Sequence, residues 1–211
     1  MANTSRINGF RPVRYLNGAP WNGQARMYVH GSGDNTALNV GDIVIQHTTG
    51  VNGIQAVTRA TSATASNIVG VVLGIDIVSP VTVSGTTTYS LQGANLDLSE
   101  KYVAASTERY VWVCDDPMVI FEAEFENTGT PPVAADVGLN YEINIGSAST
   151  TTGVSGMSCD LSSAGATTNT LPLKFIGFSR RPDNEAGAAS ARGLFLLNTH
   201  VYNSNTGAAG I

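Results

Sequence analysis

Apolar and polar residues alternate along much of this chain, most clearly from Met118 to Glu126. Val119, Phe121, Ala123 and Phe125 fall on one face; Ile120, Glu122, Glu124 and Glu126 fall on the other. Successive side chains of a strand point to opposite faces, so this predicts a strand with its apolar set in a core and its carboxylates outside. A helix would scatter both sets around its circumference. Further strands are expected at Arg26–His30, Val40–Gln46, Ile54–Arg59, Leu139–Ile145, Leu173–Ser179 and Leu194–Asn203. Ile68–Ile75 is almost continuously apolar, as a strand buried on both faces should be. Gly- and Asn-rich turns, such as Gly31–Asn35 and Thr49–Gly53, separate these runs at the spacing of sandwiches and barrels. One helical turn is expected over Val133–Val137, started by Pro131-Pro132. Ser147–Gly156 and Ser162–Thr170 read as loops.

The first 25 residues have a different texture. Asn8-Gly9, Pro12, Asn17-Gly18, Pro20 and Asn22-Gly23 recur too often for a helix. Phe10, Tyr15 and Trp21 sit among them, and a flexible linker would lack such aromatics. The expectation is therefore an extended N-terminal arm over residues 1–25, pinned to a surface by aromatic anchors, and a single β-sandwich domain over residues 26–211.

Charge sharpens that division. Arg6, Arg11, Arg14 and Arg26 precede the first acidic residue, Asp34, so residues 1–33 carry +4 within a chain of net charge −5. A basic arm on an acidic body suits docking on an acidic protein surface, a neighbouring copy included. A solvated tail is the alternative. Nucleic acid is not expected as a direct partner, because the arginines are spread out and no lysine cluster accompanies them. Charged residues make up only 13% of the chain and hydrophobic ones 42%, which favours strands and turns around a real core. No apolar run reaches the roughly 18 to 20 residues of a membrane span, and no h-region follows the first residues, so neither a span nor a signal peptide is expected.

Candidate chemistry is sparse. His30, His47 and His200 have no metal-ligand spacing. Ser155 lacks the glycine framing of a nucleophile elbow, and no phosphate-binding loop occurs. Cys114 and Cys159 are expected as reduced, half-buried thiols, with a bridge between them left open. Carboxylates two apart on one strand face lie about 7 Å apart, within the roughly 5 to 10 Å used by glycosidases. Glu122 and Glu124 could thus form a catalytic pair, and a calcium site on this strand is a further option. Aromatic residues total 7% and share the opposite face, however, so a solvated or partner-facing acidic strand is the simpler expectation. No catalytic residue, cofactor or metal is expected.

Several stretches together resemble a known group. They are Tyr110–Pro117 running into Val119–Glu122, Ala135–Asn140, Leu171–Phe178, Arg181–Glu185, Leu196–Tyr202 and the opening Asn8–Val13. This pattern is similar to virion proteins of tailed bacteriophages that accompany the major capsid protein and decorate or cement the head. The resemblance implies a jelly-roll-like β-sandwich, made in the host cytoplasm and placed on the outer surface of the capsid. Its implied partners are the major capsid protein and further copies of itself, as a homodimer or homotrimer. Within that picture Arg6, Phe10, Arg11, Arg14, Tyr15, Trp21 and Arg26 are the expected capsid contacts. The alternatives are a head-fibre or tail-associated glycan-binding module and, last, a polysaccharide hydrolase using Glu122 and Glu124.

Overall fold

The period-two segments form antiparallel ladders. In chain order the strands are β1 (Arg11–Tyr15), β2 (Arg26–His30), β3 (Ile43–Gln46), β4 (Val57–Arg59), β5 (Ile68–Ile75), β6 (Val81–Val83), β7 (Thr86–Thr88), β8 (Arg109–Cys114), β9 (Val119–Glu124), β10 (Asn140–Tyr141), β11 (Ile143–Asn144), β12 (Ser158–Cys159), β13 (Leu173–Phe178) and β14 (Arg192–Leu197). The computed structural model describes residues 3–48, 50–51, 53–76, 81–83, 86–88, 99–203 and 206–210. Two five-stranded sheets, ordered β1-β9-β14-β13-β10 and β2-β8-β5-β3-β4, pack together as a β-sandwich. Ribbons β6-β7 and β11-β12 accompany them.

The core between the sheets follows the predicted alternation. Val119, Phe121, Ala123 and Phe125 all point into it. The Phe125 ring meets Phe175 and Phe195 edge-on, with centroids 5.1 Å away in both cases. Edge-to-face contacts of this kind add about 0.5 to 1.5 kcal/mol each beyond area burial. Gly193 makes room for them, because a Cβ there would lie 2.7 Å from both Phe125 and Phe195.

The second sheet is buried on both faces, as expected for Ile68–Ile75. Ile68 and Val71 face the inter-sheet core, while Val69 and Val72 join Tyr28, Val44, Val57, Val111 and Val113 in a second core. This sheet curls until its edges meet, β2 touching the residue before β4 through a parallel bridge between Val29 and Ala56. Leu38 and Val103, bonded to each other through both backbone N–H groups at 2.9 and 2.8 Å, close one end.

A long antiparallel ribbon links the layers. Arg11–Tyr15 pairs with Val119–Glu122, Arg26–His30 with Arg109–Val113, and Leu38 with Val103, so both sides of the ribbon cross from one sheet to the other together. The boundary expected at residue 25 is therefore not a boundary in the sheets: β1 lies upstream of it and is a strand of the first sheet.

Other differences are local. A 3-10 turn spans Ala134–Asp136 within the expected helical segment, and the Asp136 carboxylate accepts the Val133 N–H at 2.7 Å. The last strand ends at Leu197, where the Asn198 amide donates to the carbonyls of Asn169, Leu171 and Ala208 at 2.9 to 3.1 Å. Of the expected Thr49–Gly53 turn, Thr49 and Asn52 lie outside the described residues; Val51, within it, and Ile54, just after it, exchange paired backbone bonds of 2.9 Å.

Candidate docking surface

The N-terminal residues divide into those the body buries and those it displays. Phe10 is 1% exposed, sits in the inter-sheet core and meets Phe195 edge-on at 6.2 Å. Tyr15 and Trp21 are half-buried against the same core. These aromatics were expected to anchor the chain to a capsid, and here they anchor β1 to its own sandwich. The physical reason is burial: inserting a phenylalanine ring into a core is worth about 1.5 to 3 kcal/mol, more than an exposed tail contact offers.

Strand β1 then fixes what points outward. Arg11 registers with Glu122 and Arg14 with Ile120, so both arginines share the outer face of the first sheet. A bulge falls between Pro12 and Arg14 and leaves Val13 43% exposed. The free edge is covered by the chain's own return, with Tyr15 N–H donating to Ala19 O at 2.8 Å and a bridge between Arg14 and Pro20. Prolines and a folded-back turn block strand addition from another chain at this edge.

The outer face of the first sheet is apolar in the middle and basic around it. One groove of about 710 Å³ is lined by Val13, Arg14, Ile176, Phe178, Arg180 and Leu194. A second, of about 270 Å³, is lined by Leu16, Pro117, Met118, Lys174 and Leu196. Leu16 and Met118 are 49% and 46% exposed. Among the described residues no ion pair holds Arg11, Arg14 or Arg180. The sequence named Arg11 and Arg14 but not Arg180, Lys174, Ile176 or Leu194. The signal for the last three was present, because period two in Leu173–Phe178 and Arg192–Leu197 puts Lys174, Ile176 and Leu194 outside.

Arg6 and Arg26 lie elsewhere. Arg6 is held through its backbone, its N–H donating to Glu124 Oε2 at 2.7 Å. Arg26 pairs with Asp115 at 3.1 Å and lies 5.6 Å from the Tyr202 ring centroid. Asp115 also accepts the Tyr28 hydroxyl at 2.6 Å, so Arg26 stands on the solvent side of a polar cluster made within the chain. Burial, with that bond to Asp115, drives the Tyr28 phenol well above its ordinary range.

The acidic strand is not a solvated face. Glu122 accepts from Ser179 Oγ at 2.5 Å and pairs with Arg181 at 3.2 Å and Arg192 at 3.5 Å. Glu124 is 2% exposed. Glu126 accepts the backbone N–H groups of Leu161 and Ser162 at 2.7 and 3.0 Å and the Asn144 amide at 2.9 Å. Each carboxylate is thus committed to donors from its own chain, a geometry that fastens loops to β9.

The remaining candidates are scattered. His30 is fully buried, its ring nitrogens facing Thr107 O at 2.9 Å and Thr36 O at 3.0 Å. His200 is buried near Ile68, and desolvation lowers its pKa. Cys114 and Cys159 are free and fully buried rather than half-buried. Burial pushes the Cys114 thiol up to about 11 and holds Cys159 well above its ordinary value. Comparisons with family models, curated proteins and solved structures returned no match.

Proposed function

We propose that this chain is a structural virion protein that binds the outside of a phage head and stabilises its shell of major capsid protein. The observation that carries the reading is the outer face of the first sheet. A chain of net charge −5 places Arg11, Arg14, Lys174 and Arg180 around the apolar side chains Val13, Leu16, Met118 and Leu194. Such a face fits an acidic protein surface with an apolar centre. Attraction there is directional, because the rest of the chain repels the same partner. Repetition over a shell turns modest single contacts into stable decoration through avidity. The sandwich is proposed to be jelly-roll-like, since a long ribbon wound across both layers is the element from which jelly rolls are built. Copies are proposed to associate as dimers or trimers on the shell.

The test is to mix the purified chain with undecorated heads of the corresponding phage and image them. The proposal predicts saturable density at a fixed stoichiometry per capsomer. Bare heads at saturating protein would overturn it. A second reading, a glycan-binding module of a head fibre or tail, is favoured by Trp112, a β8 side chain left 42% exposed. Measurable sugar affinity that disappears in Trp112→Ala would support that reading instead.

A further inference from the structure

Residues 3–6 occupy a site built for them. The Asn3 side chain donates from Nδ2 to Glu185 O at 3.0 Å and to Ala189 O at 3.1 Å, and its Oδ1 accepts the Glu185 N–H at 2.7 Å. Three residues on, Arg6 N–H donates to Glu124 Oε2 at 2.7 Å, and Arg6 O accepts from Arg192 Nη2 at 2.7 Å. The receiving loop has its own brace. Asn184 donates to the carbonyls of Ser179 and Arg192 at 2.7 and 3.0 Å and accepts the Arg192 N–H at 2.7 Å. The Arg181–Glu185 motif, conspicuous in the sequence, is thus part of a clasp around an extended peptide.

Two features decide what this clasp does. The segment contributes backbone and one carboxamide, while Thr4, Ser5, Arg6 and Ile7 remain exposed. No apolar burial holds it in place. The clasp, by contrast, is costly to empty. Glu124 is 2% exposed and its Oε1 already lacks a partner, so losing the Arg6 N–H would leave Oε2 with only Arg192, at 3.7 Å, among the described residues. A buried acceptor without a donor is costly, and more so when charged. Leaving is therefore unfavourable, but replacement by an identical segment restores every contact.

We infer that the clasp is an exchange site whose second occupant is residues 3–6 of another copy of this chain. The first firm anchor after the segment is Phe10, 1% exposed. The four steps from Arg6 to Phe10 span up to about 14 Å when extended, enough to reach a copy in direct contact with this end of the chain. Internal docking competes through a tether whose effective concentration is of order mM. Exchange is consequently negligible in dilute solution and prevails where copies are held side by side. This inference does not rest on the capsid reading, since it concerns only copies of this chain.

The experiment uses the full chain carrying Thr4→Cys and Ala189→Cys, both exposed and neither supplying a side chain to the clasp, bridged by a short bismaleimide after equilibration at concentrations from about 1 μM to several mM, around the tether's effective concentration. Cys114 and Cys159 are buried and do not compete. The expected product is an internal loop at the low end, with covalent dimers and longer ladders growing to a large share at the high end. Internal product alone at every concentration overturns the inference. A second measurement uses the unmodified chain, titrated with a peptide of residues 1–8 while the Glu185 and Arg192 amides are followed by NMR. Saturable shifts that vanish with an Asn3→Ala peptide support exchange. An absence of shifts at several times the tether's effective concentration contradicts it.

Discussion

Asp34 and Asp42 are both buried, yet their surroundings drive them in opposite directions. At Asp34, burial raises the pKa, but hydrogen bonding from Thr58 and Thr36 and the nearby His30 outweigh it and the net shift is downward. At Asp42, burial dominates over Arg59, 3.2 Å away, and the Ser155 hydroxyl, and the net shift is upward. A depressed carboxyl stabilises the fold above its unfolded pKa of about 4 and loses that contribution as pH falls through the folded value. A raised carboxyl contributes below its unfolded pKa and loses that contribution as pH rises through the folded value. Urea unfolding between about pH 2.5 and pH 6 separates the two, because that window brackets the unfolded carboxylate pKa. Asp34→Asn is expected to flatten the rise of stability with pH, and Asp42→Asn to steepen it. Parallel profiles for both variants and the parent would contradict the assignment. Thiol chemistry gives a second check at this scale. Cys114 and Cys159, buried and with raised pKa values, are expected to react with a thiol reagent at pH 8 only as fast as the protein unfolds. Immediate labelling of either one would place it at the surface.

At the scale of elements, the N-terminal strand carries the main correction. Its aromatics at irregular spacing suggested anchors for a surface outside the chain, and the anchoring surface is the chain's own core. Phe10→Ala should therefore destabilise the whole sandwich by about 3 to 5 kcal/mol, read as a shift of the urea midpoint. A loss below about 1 kcal/mol would mean that residues 1–25 behave as the detachable arm first expected, because surface substitutions fall within roughly that range. Strands such as Val119–Glu124 were legible because the period of two is a local property, set by one face being buried. The destination of Phe10 was not, since its partners Phe195 and Gly41 lie far along the chain. The outward carboxylates were placed on the correct side of β9, but their loop partners, such as Arg181 for Glu122 and the Leu161 N–H for Glu126, come from distant segments. Arg11 and Arg14 were identified as contact candidates; period two already turned Lys174 outward, but that it and Arg180 share a sheet with the two arginines follows only from the order β1-β9-β14-β13.

At the scale of the molecule, charge is sorted by face. A net-acidic chain turns an apolar, cation-rimmed sheet outward, blocks the neighbouring β1 edge with its own turn, and ties its acidic strand to its own loops. That distribution leaves one face equipped to meet an acidic partner, and it underlies the proposed decoration of a shell. The exposed side chains of Arg14 and Arg180 allow the claim to be probed without touching the core. The decisive measurement is binding of the Arg14→Glu, Arg180→Glu double variant to undecorated heads, at low and at physiological salt. The account predicts an unchanged urea midpoint with affinity per copy lowered roughly tenfold or more at low salt, about 1.4 kcal/mol, the difference narrowing as salt rises. Binding equal to the parent at both salt concentrations would contradict it.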